Sequence, residues 1–134
     1  MVETYVDTIR ADLRADKVGV ISAVMQFSER DAAAFWPIYK KYEFEVAKLN
    51  DERIQGIKRY AQEWSTMSDA DAKNLAEKSF DLETRRTNLK KKYFAEFSGV
   101  LPSMVVMRFF QLEHRMDLVV NFRIASELPT LLLR

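Results

Sequence analysis

The sequence predicts an all-α protein of four helices, with a long antiparallel helical hairpin at its centre. Only 3 glycines and 3 prolines occur in 134 residues, too few for the special backbone angles that many strands and tight turns would need. Apolar residues recur every three or four positions along most of the chain, which is the spacing of one helix face. With 48% apolar and 31% charged residues, residues 1–134 are expected to form a single globular domain.

The first helix is predicted over about residues 4–26, where apolar positions follow helical spacing and most charged residues fall on the other faces. The predicted inner stripe consists of Val6, Ile9, Leu13, Val20 and Val24. Lys17 interrupts that stripe. Gly19 weakens the helix by roughly 1 kcal/mol relative to alanine, so we expect a bend near this point.

The second helix is predicted over residues 29–65. Ser28 is a good N-cap, Asp31 follows three residues later as in a capping box, and Phe27 can act as a hydrophobic staple. The inner stripe of this helix consists of Phe35, Tyr39, Tyr42, Val46, Leu49, Ile57, Tyr60 and Trp64. Because Pro37 lacks an amide proton, the helix is expected to kink there or to begin afresh after a short first turn.

The third helix is predicted over residues 69–97. Ser68 is its N-cap, and Asp69 and Asp71 lie in the first turn, where carboxylates complement the helix dipole. The inner stripe consists of Leu75, Leu82, Leu89, Tyr93 and Phe97. Since residues 65–68 form only a short link, helices two and three are predicted to fold back on each other as an antiparallel hairpin.

The fourth helix is predicted over residues 101–127. Gly99 ends the helix before it, Pro102 falls in the first turn, where proline is favoured, and Pro129 stops the helix at its far end. The broad apolar face of this helix consists of Val105, Phe109, Leu112, Met116, Val119, Val120 and Ile124.

The length of the central hairpin is the main functional clue in the sequence. Two helices of this length cannot be covered along their whole span by the two shorter ones, so part of the hairpin is expected to stay exposed. A protein of that shape either dimerises along its long helices or holds a surface open to a ligand chain. We therefore predict an elongated, dimeric cradle.

The side chains that carry most enzyme chemistry are nearly absent. No cysteine occurs, and His114 is the only histidine, with Gln111 three residues before it, so the Glu-x-x-His pairs of di-iron bundles are missing. We predict no catalytic residue, no metal and no cofactor, and hence a non-enzymatic protein. The 21 basic and 20 acidic residues lack the basic excess of a nucleic-acid binder. The apolar runs fall far short of the ~20 residues that span a bilayer as a helix.

Two arginines fall on or beside the apolar seam of the predicted hairpin. In one interpretation, Arg53 and Arg86 pair with nearby carboxylates such as Glu83 or Glu52 and thereby fix the register of the two helices. In the other, both guanidinium groups lie on a surface that faces a ligand. The sequence leaves both alternatives open.

The remaining candidate binding residues carry aromatic, cationic or thioether side chains. They are Phe35, Trp36, Lys90, Lys91, Lys92, Met104 and Met107. The lysines either form a solvated face or attract acidic and unfolded partners. The methionines belong either to the core or to an adaptable binding surface. The proline that follows the aromatic pair is expected to turn both rings against the rest of the chain.

Two stretches on either side of the hairpin carry a family resemblance. Residues 25–45, "MQFSERDAAAFWPIYKKYEFE", and residues 97–117, "FSGVLPSMVVMRFFQLEHRMD", resemble the Spy/CpxP superfamily of small, all-helical periplasmic stress proteins. That family carries a Leu-Thr-x-x-Gln motif just ahead of its long helices. Phe27, Ser28 and Asp31 stand at the matching place here and keep the apolar, hydroxyl and polar types.

The resemblance covers about residues 20–128 and implies a secreted periplasmic protein whose dimer forms a curved cradle. Such a protein binds unfolded or envelope proteins as clients without ATP, as a chaperone, or regulates an envelope-stress partner. A periplasmic location implies a signal peptide that is removed; if Met1 is the native start, the location is the cytoplasm instead. The alternative function is a structural or regulatory helical oligomer that binds one dedicated partner and has no chaperone activity.

Overall fold

Four α-helices account for the regular structure of the residues that the structure describes. The computed structural model describes residues 17–127, apart from the side chains of residues 123, 124 and 127. The helices are α1 (residues 17–25), α2 (Glu29–Glu63), α3 (Asp69–Ser98) and α4 (Ser103–Glu127). No strand occurs between residues 17 and 127, so the predicted all-α class is confirmed. The start of the first predicted helix, with Val6, Ile9 and Leu13, lies outside the described residues.

Serine side chains cap the two longest helices as the sequence predicts. The backbone N–H of Asp31 donates to Ser28 Oγ over 3.1 Å at the start of α2. The backbone N–H of Asp71 donates to Ser68 Oγ over the same distance at the start of α3. Each cap satisfies one of the amide donors that the first helical turn leaves without a partner. Beyond its cap, α2 runs through Pro37 as one helix, so the alternative in which it begins at that proline is wrong.

The helices α2 and α3 run in opposite directions along each other. Ion pairs join them at intervals, and as the residue number rises along α2 it falls along α3. The pairs are Lys41 with Glu96 (3.0 Å), Glu45 with Lys92 (3.3 Å), Glu52 with Arg85 (2.8 Å) and Arg59 with Asp71 (3.5 Å). Most of these side chains are exposed, so each pair contributes at most about 1 kcal/mol and serves mainly to favour this register.

An aromatic core fills the space where all four helices meet. Phe35 is completely buried, and its ring centroid lies 5.1 Å from that of Phe97 on α3 and 5.0 Å from that of Phe109 on α4. The core consists of Ile21, Met25, Phe35, Tyr39, Tyr42, Val46, Tyr93, Phe97, Leu101, Val106 and Phe109. No residue between Ile54 and Tyr93 is buried. This range contains the C-terminal end of α2 and most of α3. The core therefore packs against only the N-terminal half of α2 and the C-terminal end of α3.

The inner face of α1 differs from the prediction. Val20 and Val24 are exposed, whereas Lys17, Ile21 and Met25 are buried. These three residues are spaced four apart and so form one continuous helix face. The prediction was wrong because it placed the lysine outside the apolar stripe, although this lysine occupies a core position with carboxylate partners.

The inner faces of α2 and α4 also contain exceptions. On α4, Val106 and Glu113 are buried, whereas Val119 is exposed; the side chain of residue 124 lies outside the described set. On α2, Ile54 is buried, while Ile57 and the two aromatic residues predicted beyond it are only half-buried. These side chains are only half-buried because, among the described residues, no third helix packs against this part of α2 and α3.

Phe35→Ala should lower the free energy of unfolding by about 3–5 kcal/mol, because it removes a fully buried ring and leaves a cavity in the aromatic core. Phe44→Ala is the matched control on the same helix, since the Phe44 side chain is 65% exposed, and it should change stability by less than about 0.5 kcal/mol. Urea denaturation of both variants measures the difference. Equal losses of stability would show that the core is not centred on Phe35.

Candidate functional site

A buried lysine and two glutamates join three helices beside the aromatic core. Lys17 Nζ on α1 lies 3.0 Å from Glu43 Oε2 on α2 and 3.0 Å from Glu113 Oε1 on α4. Lys17 is 7% exposed and Glu113 is 1% exposed. Charges with so little access to water are retained only when opposite charges and hydrogen bonds replace their hydration. We call these three residues the buried charge cluster.

Two tyrosines donate hydrogen bonds to the carboxylates of this cluster. The hydroxyl of Tyr39 donates to Glu43 Oε2 over 3.2 Å, and the hydroxyl of Tyr42 donates to Glu113 Oε2 over 2.6 Å. Burial and the neighbouring carboxylates raise the pKa of both phenols well above the ordinary value. Burial alone would lower the pKa of Lys17, but attraction to Glu113 and then to Glu43 outweighs it, so that this pKa is raised.

A small cavity lies next to the buried charge cluster, where α2, α3 and α4 approach one another. Its volume is about 70 Å³, and its polar lining consists of Lys17, Glu43, Asn50, Arg53, Arg86, Asp117 and Asn121. Arg86 Nη2 donates to Asn50 Oδ1 over 2.6 Å. Burial and then the charge of Arg86 lower the pKa of Arg53, and Asp117 and Glu83 oppose that effect. We call this space the arginine cavity.

The two arginines singled out in the sequence therefore line the same cavity. The predicted carboxylate partner Glu52 pairs with Arg85 instead, which donates to both of its oxygens over 2.8 and 3.0 Å. That double hydrogen bond lowers the pKa of Glu52. Arg85 also lies 2.9 Å from Asp81. The register-fixing contact is thus made by the neighbouring arginine, which sequence reasoning did not single out.

The three consecutive lysines point in different directions. Lys90 Nζ lies 2.8 Å from Asp117 Oδ2 on α4, and Lys92 Nζ lies 3.3 Å from Glu45 Oε2 on α2. Lys91 is exposed. Consecutive residues on a helix are about 100° apart, so they do not form one patch. Two of these lysines connect α3 to its neighbours, and the third faces solvent.

The predicted apolar candidates divide between the core and the surface. Phe35 is part of the core, and Trp36 is half-buried with its ring centroid 4.9 Å from that of Phe35. Met104 and Met107 are exposed on α4. Of the two alternatives for the methionines, the structure therefore places them on the surface, where flexible thioether side chains can adapt to a partner.

An exposed apolar stripe runs along the face of α4 that is opposite the core. Met104 is 66% exposed and Phe122 is 74% exposed, and Met107 and Leu118 lie on the same side. Helical spacing puts these four residues on one face, because they are separated by three, eleven and four positions. We call them the outer stripe. A second apolar surface is the groove between α2 and α3 that contains Ile57, Tyr60, Leu75 and Leu82.

The sequence analysis missed the buried charge cluster, although two signals pointed to it. Lys17 is a lone cation spaced four and eight residues from Ile21 and Met25, and Glu113 is a lone anion four residues after Phe109. A charge on an otherwise apolar helix face indicates a buried partner of opposite sign. Pairing those two signals would have predicted contact between α1 and α4.

Neither metal sites nor membrane spans are found in the part of the chain that the structure describes. Within residues 17–127, no three histidine, cysteine or acidic side chains are grouped so that they could hold a metal ion. No helix in that range combines the length and apolarity needed to cross a membrane. No protein-family model, curated protein or solved structure matches the chain. The resemblance to the Spy/CpxP superfamily stays a prediction from the residues quoted above.

Lys17→Met should lower the free energy of unfolding by about 3–5 kcal/mol, because it leaves the buried Glu113 carboxylate without a counter-charge. Adding Glu113→Gln should restore most of that loss, since the amide oxygen still accepts from Tyr42 and the one charge left in the cluster, on Glu43, is partly exposed to solvent. Urea denaturation of the two single variants and the double variant measures the coupling. Additive losses would contradict a direct ion pair between the two side chains.

The stability of the protein should fall as the pH rises above about 10. The folded state raises the pKa of Lys17 above 10.5 and the pKa of Tyr42 above 10.0. Groups with a raised folded-state pKa stabilise the protein fully below their unfolded pKa and lose that effect above it. Urea denaturation at about pH 8 and about pH 11 measures the change. Tyr42→Phe should make the decline in stability shallower. An equal free energy of unfolding of the wild-type protein at both pH values would contradict the prediction.

Proposed function

We propose that the protein is a non-enzymatic binding module that holds apolar segments of other polypeptides without ATP. The observation that carries this proposal is the outer stripe, since α4 is apolar on two opposite faces and buries only one of them. Large apolar side chains lined up on an exposed helix face are typical of interaction sites. Between Met104 and Phe122 the stripe extends for about 27 Å, at about 1.5 Å per residue.

The mixed character of the surface suits clients without a fixed structure. Methionine and phenylalanine supply apolar contact with little geometric demand, and Gln111 and Arg115 interrupt the stripe with polar groups on the same face. A surface of this kind binds many apolar sequences weakly and excludes none by shape. The groove between α2 and α3 offers a second apolar strip to the same client.

The proposal includes a dimeric, elongated cradle in the periplasm. The lengths of α2 and α3, 35 and 30 residues, support an elongated shape, because the aromatic core accounts for only part of them. The periplasmic location and the chaperone role follow from the resemblance to the Spy/CpxP superfamily. A second copy of the chain would extend the apolar surface across the dimer.

A second candidate function uses the same stripe for self-association alone. A single helix face with four large apolar residues can pack against its own copy around a two-fold axis, because such an interface joins identical patches. The protein would then be a structural or regulatory helical oligomer that binds one dedicated partner, without chaperone activity.

The chaperone proposal predicts that the purified protein suppresses aggregation of chemically unfolded clients at near-stoichiometric amounts without nucleotide. Combining Met104→Gln with Phe122→Gln should remove most of that suppression, because it replaces the two most exposed side chains of the outer stripe with polar ones. Val24→Thr is the control, since Val24 is also exposed but lies on α1. Light scattering of the client measures the effect, and circular dichroism checks that each variant is folded.

The two candidate functions give different outcomes in one pair of measurements. If the double substitution abolishes suppression while the solution mass stays the same, the stripe binds clients. If it converts a dimer to a monomer and the wild-type protein suppresses no client, the stripe is a self-association surface and the chaperone proposal fails.

A further inference from the structure

Two guanidinium groups from adjacent helices share the arginine cavity. Arg53 belongs to α2 and Arg86 to α3, and both side chains are half-buried. Asn50 lies one helical turn before Arg53 on the same side of α2, and its side-chain oxygen accepts from Arg86 Nη2 over 2.6 Å. The position of Arg86 is therefore fixed by an amide rather than by a carboxylate.

The two carboxylates that line the cavity, Glu43 and Asp117, have other partners. Glu43 accepts from Lys17 over 3.0 Å and from Tyr39 over 3.2 Å, and Asp117 accepts from Lys90 over 2.8 Å. Within residues 17–127, no ion pair joins Arg53 or Arg86 to a carboxylate. The two cations thus lie close together with incomplete compensation, and the charge of Arg86 lowers the pKa of Arg53.

We propose that Arg53 and Arg86 bind a small oxyanion in the arginine cavity, either phosphate or the carboxylate of a small organic acid. A guanidinium group donates two parallel hydrogen bonds to such an anion, and two guanidinium groups can hold it from two sides. The bound negative charge would also relieve the repulsion between the arginines. The site is separate from the outer stripe, so it does not depend on the protein-binding proposal.

The size and the neighbouring charges of the cavity restrict the ligand. A volume of about 70 Å³ is several times the ~10–15 Å³ that a cavity needs to hold one water molecule. That is room for one small oxyanion and too little for a nucleotide. Glu43 and Asp117 also line the cavity, and their negative charge disfavours anions of high charge. Acetate and phosphate should therefore bind more tightly than pyrophosphate.

Nuclear magnetic resonance of the arginine Nε–Hε groups tests the site directly. Sodium phosphate and sodium acetate are titrated separately against sodium chloride at matched ionic strength, so that general salt effects cancel. We expect saturable shifts of the Arg53 and Arg86 signals with at least one of the two oxyanions and none with chloride. The anion whose titration saturates shows whether the site prefers a phosphate or a carboxylate.

Substitutions separate the arginine cavity from ordinary surface binding. Arg53→Gln and Arg86→Gln should each weaken the binding of the active anion by about tenfold or more, because each removes one bidentate donor. Arg85→Gln is the matched control, since Arg85 is the neighbouring exposed arginine that already pairs with Glu52, and it should leave the affinity unchanged. Arg53→Lys keeps the charge but not the planar fork, and it should also weaken binding.

The proposal is overturned if neither oxyanion gives a saturable shift, or if chloride gives the same shift. It is also overturned if Arg85→Gln weakens binding as much as Arg53→Gln does, because the effect would then belong to net charge. Melting temperatures provide a second readout that does not need assigned signals. The active anion should raise the melting temperature of the wild-type protein and of Arg85→Gln more than that of Arg53→Gln.

Discussion

The limited coverage of the two longest helices is the constraint on which the rest of the structure depends. The helix α2 contains 35 residues and α3 contains 30. The part of the chain that the structure describes adds only α1 and α4 around them. Buried residues end at Ile54 on α2 and resume at Tyr93 on α3. One part of the helix pair therefore has an aromatic core on its inner side, while the other relies on half-buried contacts and exposed ion pairs. Apolar surface left open by this imbalance is what the proposed function uses.

Charged residues lie where the aromatic core ends. The buried charge cluster joins α1, α2 and α4 through Lys17, and the arginine cavity lies next to it. Buried ion pairs contribute little net stability, because desolvation opposes their attraction, but an unpaired partner costs several kcal/mol. Our hypothesis is that the cluster contributes mainly to specificity, because moving α1 away from α2 or α4 would separate Lys17 from Glu43 or Glu113. In the cavity beside it, Arg53 and Arg86 form no ion pair with a carboxylate of the described residues. We therefore regard the cluster as structural and the cavity as a candidate binding site.

The sequence predicted features that depend on local or single-helix physics. Ser28 and Ser68 were predicted as caps because a cap involves only residues three apart, and the apolar stripe of α2 was predicted as far as Leu49 because burial there follows helical spacing. The inner face of α1 was missed because Lys17 is charged, and its burial depends on glutamates 26 and 96 residues away in sequence. The arginine cavity could not be predicted in detail, because its shape depends on how three helices meet. Arg53 and Arg86 were nevertheless recognised as cations beside an apolar seam.

Hydrogen exchange along α2 and α3, measured in dilute protein without clients, tests the central claim most directly. Amide protons exchange slowly where opening requires loss of buried contacts and quickly where few such contacts exist. The account predicts slow exchange in residues 35–49 and 93–98, which adjoin the aromatic core, and much faster exchange in residues 57–85. Uniformly slow exchange along both helices would contradict it, because the far part of the pair would then be as well supported as the core and would have no uncovered surface to offer.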